Sequence, residues 1–212
     1  MAQFIRLAPS AGSGQGRLMV SRINPQTAEI LIAAAARYDF VLVPGRYDSS
    51  PDHWQSCWQQ QLPIWQRLVQ RNWDEPDIDR WVGSIRRLLA QQTKPALLVG
   101  HSLGALASCC VAIDYPELVA GIVLVAPAEP SKFEVEERVP AVDLGVPSLL
   151  VASRNDPFMS FHRAEHWASV WHSDLVDIGE AGHINAESGF GRWPYGLEVV
   201  RMLVEKADQA VA

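Results

Sequence analysis

Apolar residues in this chain fall in two patterns. Short unbroken runs such as FVLVPG from Phe40, ALLVG from Ala96, AGIVLVAP from Ala120 and PSLLVAS from Pro147 are rich in Val, Leu and Ile and stop at Gly, Pro or Ser. They show no alternation, so both faces are buried, as in strands of a parallel sheet. QRLVQR from Gln66 and DLVDIG from Asp174 read as weaker strands. Between the runs, apolar positions recur three and four apart, which predicts helices. These cover His53 to Leu62, Ile78 to Gln91, Leu103 to Asp114, Ser160 to Trp171 and Pro194 to Val204. Repeated strand–helix units predict an α/β fold: a mostly parallel central sheet of about six strands with helices on both faces.

Residues 1 to 36 break this rhythm. APSAGSGQGR is small and Gly-rich, and is expected to be a mobile stretch. Asn24 and Pro25 suit a helix cap and first position, and QTAEILIAAAARY can continue that helix. The reading is an N-terminal extension, 1–36, expected to be dispensable, followed by one domain, 37–212. No linker divides the latter.

Composition narrows the function. The formal net charge of -6 argues against a nucleic-acid partner. No apolar stretch approaches the ~18 residues of a membrane span, and ILIAAAA is broken at once by Arg37. FIRLA, interrupted by Arg6, is too weak for a secretory signal, so a cytoplasmic location is expected. Cys109 and Cys110 are adjacent within a predicted helix and Cys57 is distant, which gives neither a disulfide framework nor metal-ligand spacing. H-E-x-x-H and C-x-x-C are absent, and GSGQG precedes no βαβ unit, so no metal or organic cofactor is expected.

The chemistry gathers around LLVGHSLGALASCC. Gly100-His101-Ser102-Leu103-Gly104 fits G-x-S-x-G where a strand hands over to a helix. The pattern arises by chance in roughly one chain in fifteen of this length, so its position carries the weight. A sharp strand–helix turn lifts the Ser hydroxyl above the sheet and needs flanking residues without side chains. The amide of Leu103, at the helix N-terminus, is aimed where an oxyanion would form. In this architecture an acid and then a His follow the Ser in the chain. Asp156 sits just past the run PSLLVAS, where the acid belongs. Asp174 and Asp177 lie within or before the last strand, and Glu180 is the reserve. His183 occupies the Gly-rich loop after DLVDIG, where the base belongs. His162, His166 and His172 fall on or beside a helix. His53 precedes the Ser, and His101 lies inside the turn and is expected to point away. The second oxyanion donor is expected from the loop after FVLV, where Gly45 permits close approach and the Arg46 amide follows; the Arg46 side chain reads as solvated. Trp54, Trp58, Trp81 and Trp167 read as core. Trp193 reads equally as core or as site lining.

These motifs carry a resemblance. VLVPG with HWQSCW close behind, WDEPD, GHSLGA, VLVAPA, SRNDPF and GHINAESGFGRWPYG span about residue 40 to 204. Together they resemble the small serine hydrolases related to retinoblastoma-binding protein nine, in their bacterial form. The resemblance implies an α/β-hydrolase fold with no large cap domain and a triad at Ser102, Asp156 and His183. It implies a hydrolase of small carboxylic esters, with thioesters and amides as alternatives, acting through an acyl-enzyme on a small-molecule acyl substrate. Some members of that family are described as partner-binding proteins, so a non-catalytic binding module is the other expectation. Neither physiological substrate nor oligomeric state follows from it.

Overall fold

The computed structural model describes residues 4–6 and 22–211. Its centre is a parallel sheet of seven strands: β1 (Phe4–Arg6), β2 (Asp39–Val43), β3 (Trp65–Arg67), β4 (Ala96–His101), β5 (Val119–Val125), β6 (Ser148–Ala152) and β7 (Asp174–Asp177), in the order β1-β7-β6-β5-β4-β2-β3. Each of the six predicted runs supplies a strand. The seventh, β1, pairs with β7 at the sheet edge, Phe4 opposite Leu175. The helices are α1 (Pro25–Ala34), α2 (Trp54–Gln61), α3 (Ile78–Leu89), α4 (Leu103–Asp114), α5 (Phe161–Val170) and α6 (Pro194–Ala210).

The missing alternation has a direct cause. Every residue of β2, β4 and β6 is buried, because a helical layer covers each face. Val41, Val43, Ala96 and Leu98 face one core with Trp81, Ile85 and Leu106. Phe40, Leu42, Leu97 and Val99 face the other, with Leu31, Trp54, Trp58 and Leu197. Burying a Val, Leu or Phe side chain stabilises by about 1.5–3 kcal/mol, so these runs alone hold the sheet between its layers.

Boundaries shift where the pattern is weakest. β3 ends at Arg67, and Val69 is 83% exposed, because β3 is an edge strand with a neighbour on one side only. α6 runs to Ala210, past the expected end at Val204; Ala207 continues the buried stripe of Val200, Leu203 and Val204 while the polar residues face outward. The helix expected from Asn24 forms at Pro25–Ala34, with the Asn24 side chain accepting from the Gln26 amide at 3.0 Å. It is no appendage, however. Leu31 and Ala34 are fully buried against α6, and Thr27 donates to Glu198. The expected division at residue 36/37 therefore cuts through a packed layer. APSAGSGQGR and GSGQG lie outside the described residues.

Two features of the topology place a site. After β2 the chain goes to β3 on one side and returns to β4 on the other. Such a switch leaves a crevice at the carboxyl ends of the two strands, where ligands bind in α/β folds. Between β5 and β6 there is one short 3₁₀ turn, Pro130–Phe133, and loop, with no cap domain over that crevice. No helix among the described residues is long and apolar enough to cross a membrane.

Candidate active site

Ser102 stands at the end of β4, immediately before α4. Its backbone is strained, at φ 54° and ψ -120°, and is held there by its amide donating to the Val125 carbonyl at 3.1 Å. Strain of this kind costs about 1–3 kcal/mol and persists only where the surroundings impose it. The side chain makes no capping bond to the helix, so the hydroxyl is free. A Cβ on Gly100 would lie 2.6 Å from the Gly104 carbonyl oxygen, and one on Gly104 would run into the Val43 and Pro44 carbonyls. Both glycines are needed for the turn to close.

The loop after β2 rests on this turn. A Cβ on Gly45 would come within 2.9 Å of Ser102 Cβ and 3.5 Å of the Leu103 nitrogen. Trp81 Nε1 donates to the Pro44 carbonyl at 2.9 Å and Tyr47 N to Trp73 O at 3.0 Å, while Arg67 binds Asp48. The loop is thus braced from below, with Tyr47 and Asp48 both in the left-handed region. Neither the Arg46 nor the Leu103 amide donates to another group among the described residues. The Arg46 side chain is exposed but not merely solvated: Nε donates to Asp74 O at 2.6 Å and the guanidinium stacks over Tyr47.

Asp156 follows β6, with its side chain only 3% exposed. Its two oxygens lie 3.0 and 2.9 Å from His183 Nδ1, and Oδ1 also accepts from the Phe158 amide at 2.8 Å. A carboxylate can only accept here, so Nδ1 carries a proton, and in the neutral ring Nε2 is the bare nitrogen. The His183 backbone is fixed by its own amide donating to Ser188 Oγ at 3.1 Å, and Gly182 beside it donates to Asn155 Oδ1 at 2.7 Å. The rival acids are engaged elsewhere or remote: Asp177 binds Arg154, Asp174 binds Lys206 and Glu180 is exposed. His162 and His172 are exposed, beside Glu165 and Asp143.

Ser102, His183 and Arg46 line one cleft of about 420 Å³, with Phe133 and Phe158 on a wall; the Phe158 ring lies 4.3 Å from that of His183. Trp193 is not part of it. It is 9% exposed and stacks on Trp58 at 5.7 Å, within the core. Two further imidazoles are part of it. His101 does not point away: it lines the cleft, and its Nε2 donates to the His183 carbonyl at 2.9 Å. His53 lines the cleft as well, capping α2 through Nδ1, which accepts from Gln55 N at 3.2 Å. Burial first, then the charges of Arg67 and His183, push the His53 pKa down to about 3. Burial holds His101 well below the ordinary imidazole range, with His183 and His53 adding to it. Order along the chain could not reveal either; HWQSCW was the only signal at His53.

A strained Ser at a strand–helix turn and a carboxylate-bound imidazole line one crevice of an α/β-hydrolase fold. The family described as serine hydrolase matches residues 40–202, and the chain belongs to that family. No curated protein matches the sequence. Among solved structures, a YdeN-like hydrolase from Pectobacterium atrosepticum is 51% identical, with a TM-score of 0.84 over 86% of this chain and 98% of its own. The ydeN gene product of B. subtilis (19% identity, TM-score 0.65, 80% of this chain and 100% of that one) and a thermophilic esterase (16%, 0.60, 80% and 90%) share the fold.

Proposed function

We propose that this serine hydrolase cleaves small carboxylic esters through an acyl-enzyme, with Ser102, His183 and Asp156 as its triad. His183 Nε2 takes the proton of Ser102 as the Oγ attacks the acyl carbonyl. Asp156 holds the ring in the tautomer this needs and stabilises the imidazolium that forms. The Leu103 and Arg46 amides receive the oxyanion. The imidazolium then protonates the departing alcohol, and a water activated by the same ring releases the acid. The observation that carries this reading is the bidentate contact of the buried Asp156 carboxylate with His183 Nδ1, in the cleft of a strained, uncapped Ser102. A cleft of about 420 Å³ suits a small ester. The esterases among the structural neighbours point the same way, as does the resemblance to the proteins related to retinoblastoma-binding protein nine. The partner is a small acyl compound, with no nucleic acid or membrane, and the three unpaired cysteines agree with a cytoplasmic setting.

The test is turnover of short-chain 4-nitrophenyl esters. Ser102→Ala is expected to lower it on the order of 10⁴- to 10⁶-fold with the fold retained by circular dichroism. Near-native turnover in that variant would overturn the mechanism.

A further inference from the structure

Three imidazoles share the cleft and the chemistry above uses one. His101 serves the framework. A carbonyl can only accept, so its Nε2–H is spent on His183 O. His53 is different. Its Nδ1 accepts from Gln55 N at the start of α2, which places the ring proton on Nε2 in the neutral form. The residue is only 5% exposed and lines the cleft. Nε2 has no partner among the described residues, yet it is not among the buried polar atoms sealed without one. The protein thus presents a fixed, neutral N–H donor to the cleft. Leaving such a donor dry and unpaired when a substrate displaces water is unfavourable, so the preferred substrate is one that satisfies it.

Its place indicates which part of the substrate. The His101 ring lies 4.9 Å from that of His53 and 4.8 Å from that of His183, and no ring contact joins His53 directly to His183 among the described residues. The leaving group must lie toward His183, which protonates it, and there it meets the apolar Phe158. The acyl part then extends away from His183, and His53 and Ser50 are cleft residues outside the His183–Phe158 ring contact that can meet it. We propose that His53 is a specificity-determining residue whose Nε2–H donates to an oxygen in the acyl part, so that preferred substrates are short esters bearing an ether, hydroxyl or carbonyl oxygen near the scissile carbon. This rests on the ester-hydrolase reading.

The experiment compares 4-nitrophenyl methoxyacetate with 4-nitrophenyl butanoate, which match in chain length and differ in one oxygen. The readout is the ratio of their kcat/KM values, in the wild type and in His53→Asn. Asn keeps a side-chain oxygen to cap α2 but lacks the ring N–H. The ratio is expected to fall about tenfold, the size of one lost hydrogen bond. An unchanged ratio overturns the proposal, whether both rates fall together or neither moves. A second arm does not depend on turnover. In Ser102→Ala, ¹⁵N-resolved imidazole spectra should show His53 as the Nε2–H tautomer, its proton shifting with methyl methoxyacetate and not with methyl butanoate. An Nδ1–H tautomer, or equal shifts, overturns the proposal. If the wild type cleaves neither ester, the functional reading fails while this arm still decides the role of His53.

Discussion

Asp156 and Glu180 are both acids in loops near the last strands, and one contact separates them. Asp156 meets His183 Nδ1 with both oxygens from a nearly sealed position, whereas Glu180 is exposed. Asp156→Asn puts an amide where the carboxylate was. The amide favours the wrong tautomer of His183, so turnover should fall by about 10⁴-fold. Glu180→Gln should change it little, because an exposed carboxylate acts through high dielectric. Stopped-flow or plate assays on one ester check both, and a reversed order of effects would make Glu180 the acid. Ser102, Asp156 and His183 were legible as candidates because each sits at a strand end, and strand ends follow from hydrophobic runs. His53 and His101 were not. His101 reaches the His183 carbonyl across 82 positions of sequence, and His53 meets it only once α2 is docked. Contacts of that kind depend on how the layers pack, and no local pattern records them.

Among the elements, legibility tracked burial. The runs that became β2, β4, β5 and β6 are central and dry, so their sequences are unambiguous. β3 and β7 lie toward the sheet's edges and carry polar residues, and β3 came out shorter and earlier than its sequence pattern. The N-terminal helix shows a different failure. Its cap and extent are readable from Asn24-Pro25, but its partner is α6, at the other end of the chain. An amphipathic pattern says that a face is buried, not what covers it. The packing of α1 on α6 argues against the expectation that residues 1 to 36 are dispensable, and removal is the test. Leu31→Ala should cost about 2–5 kcal/mol in urea unfolding, as for other fully buried leucines. A chain starting at Arg37 should lose cooperative folding. Unfolding midpoints equal to those of the intact chain would show that α1 is not part of the core.

The whole molecule assembles its candidate site from four separated places. The loop after β2 supplies Gly45 and Arg46, the β4–α4 turn supplies Ser102 and Leu103, and the ends of β6 and β7 supply Asp156 and His183. The topological switch at β2 brings the first two together, and the parallel order of β4 to β7 brings the last two within reach. The pH behaviour should be simple as a result. His53, at about 3, and His101, well below the imidazole range, stay neutral between about pH 5 and 8. His53 and His101 therefore change no charge in the cleft across that window. His183 is the remaining imidazole of the cleft.

The most direct measurement is the rate of covalent labelling by a fluorophosphonate, mapped by mass spectrometry. It requires an activated nucleophile and no knowledge of the substrate. A single adduct on Ser102 is expected, and its formation should be nearly abolished in His183→Ala. An adduct on another residue, no adduct in folded protein, or a labelling rate unchanged by the loss of His183 would contradict the assignment of Ser102 as nucleophile and His183 as its base.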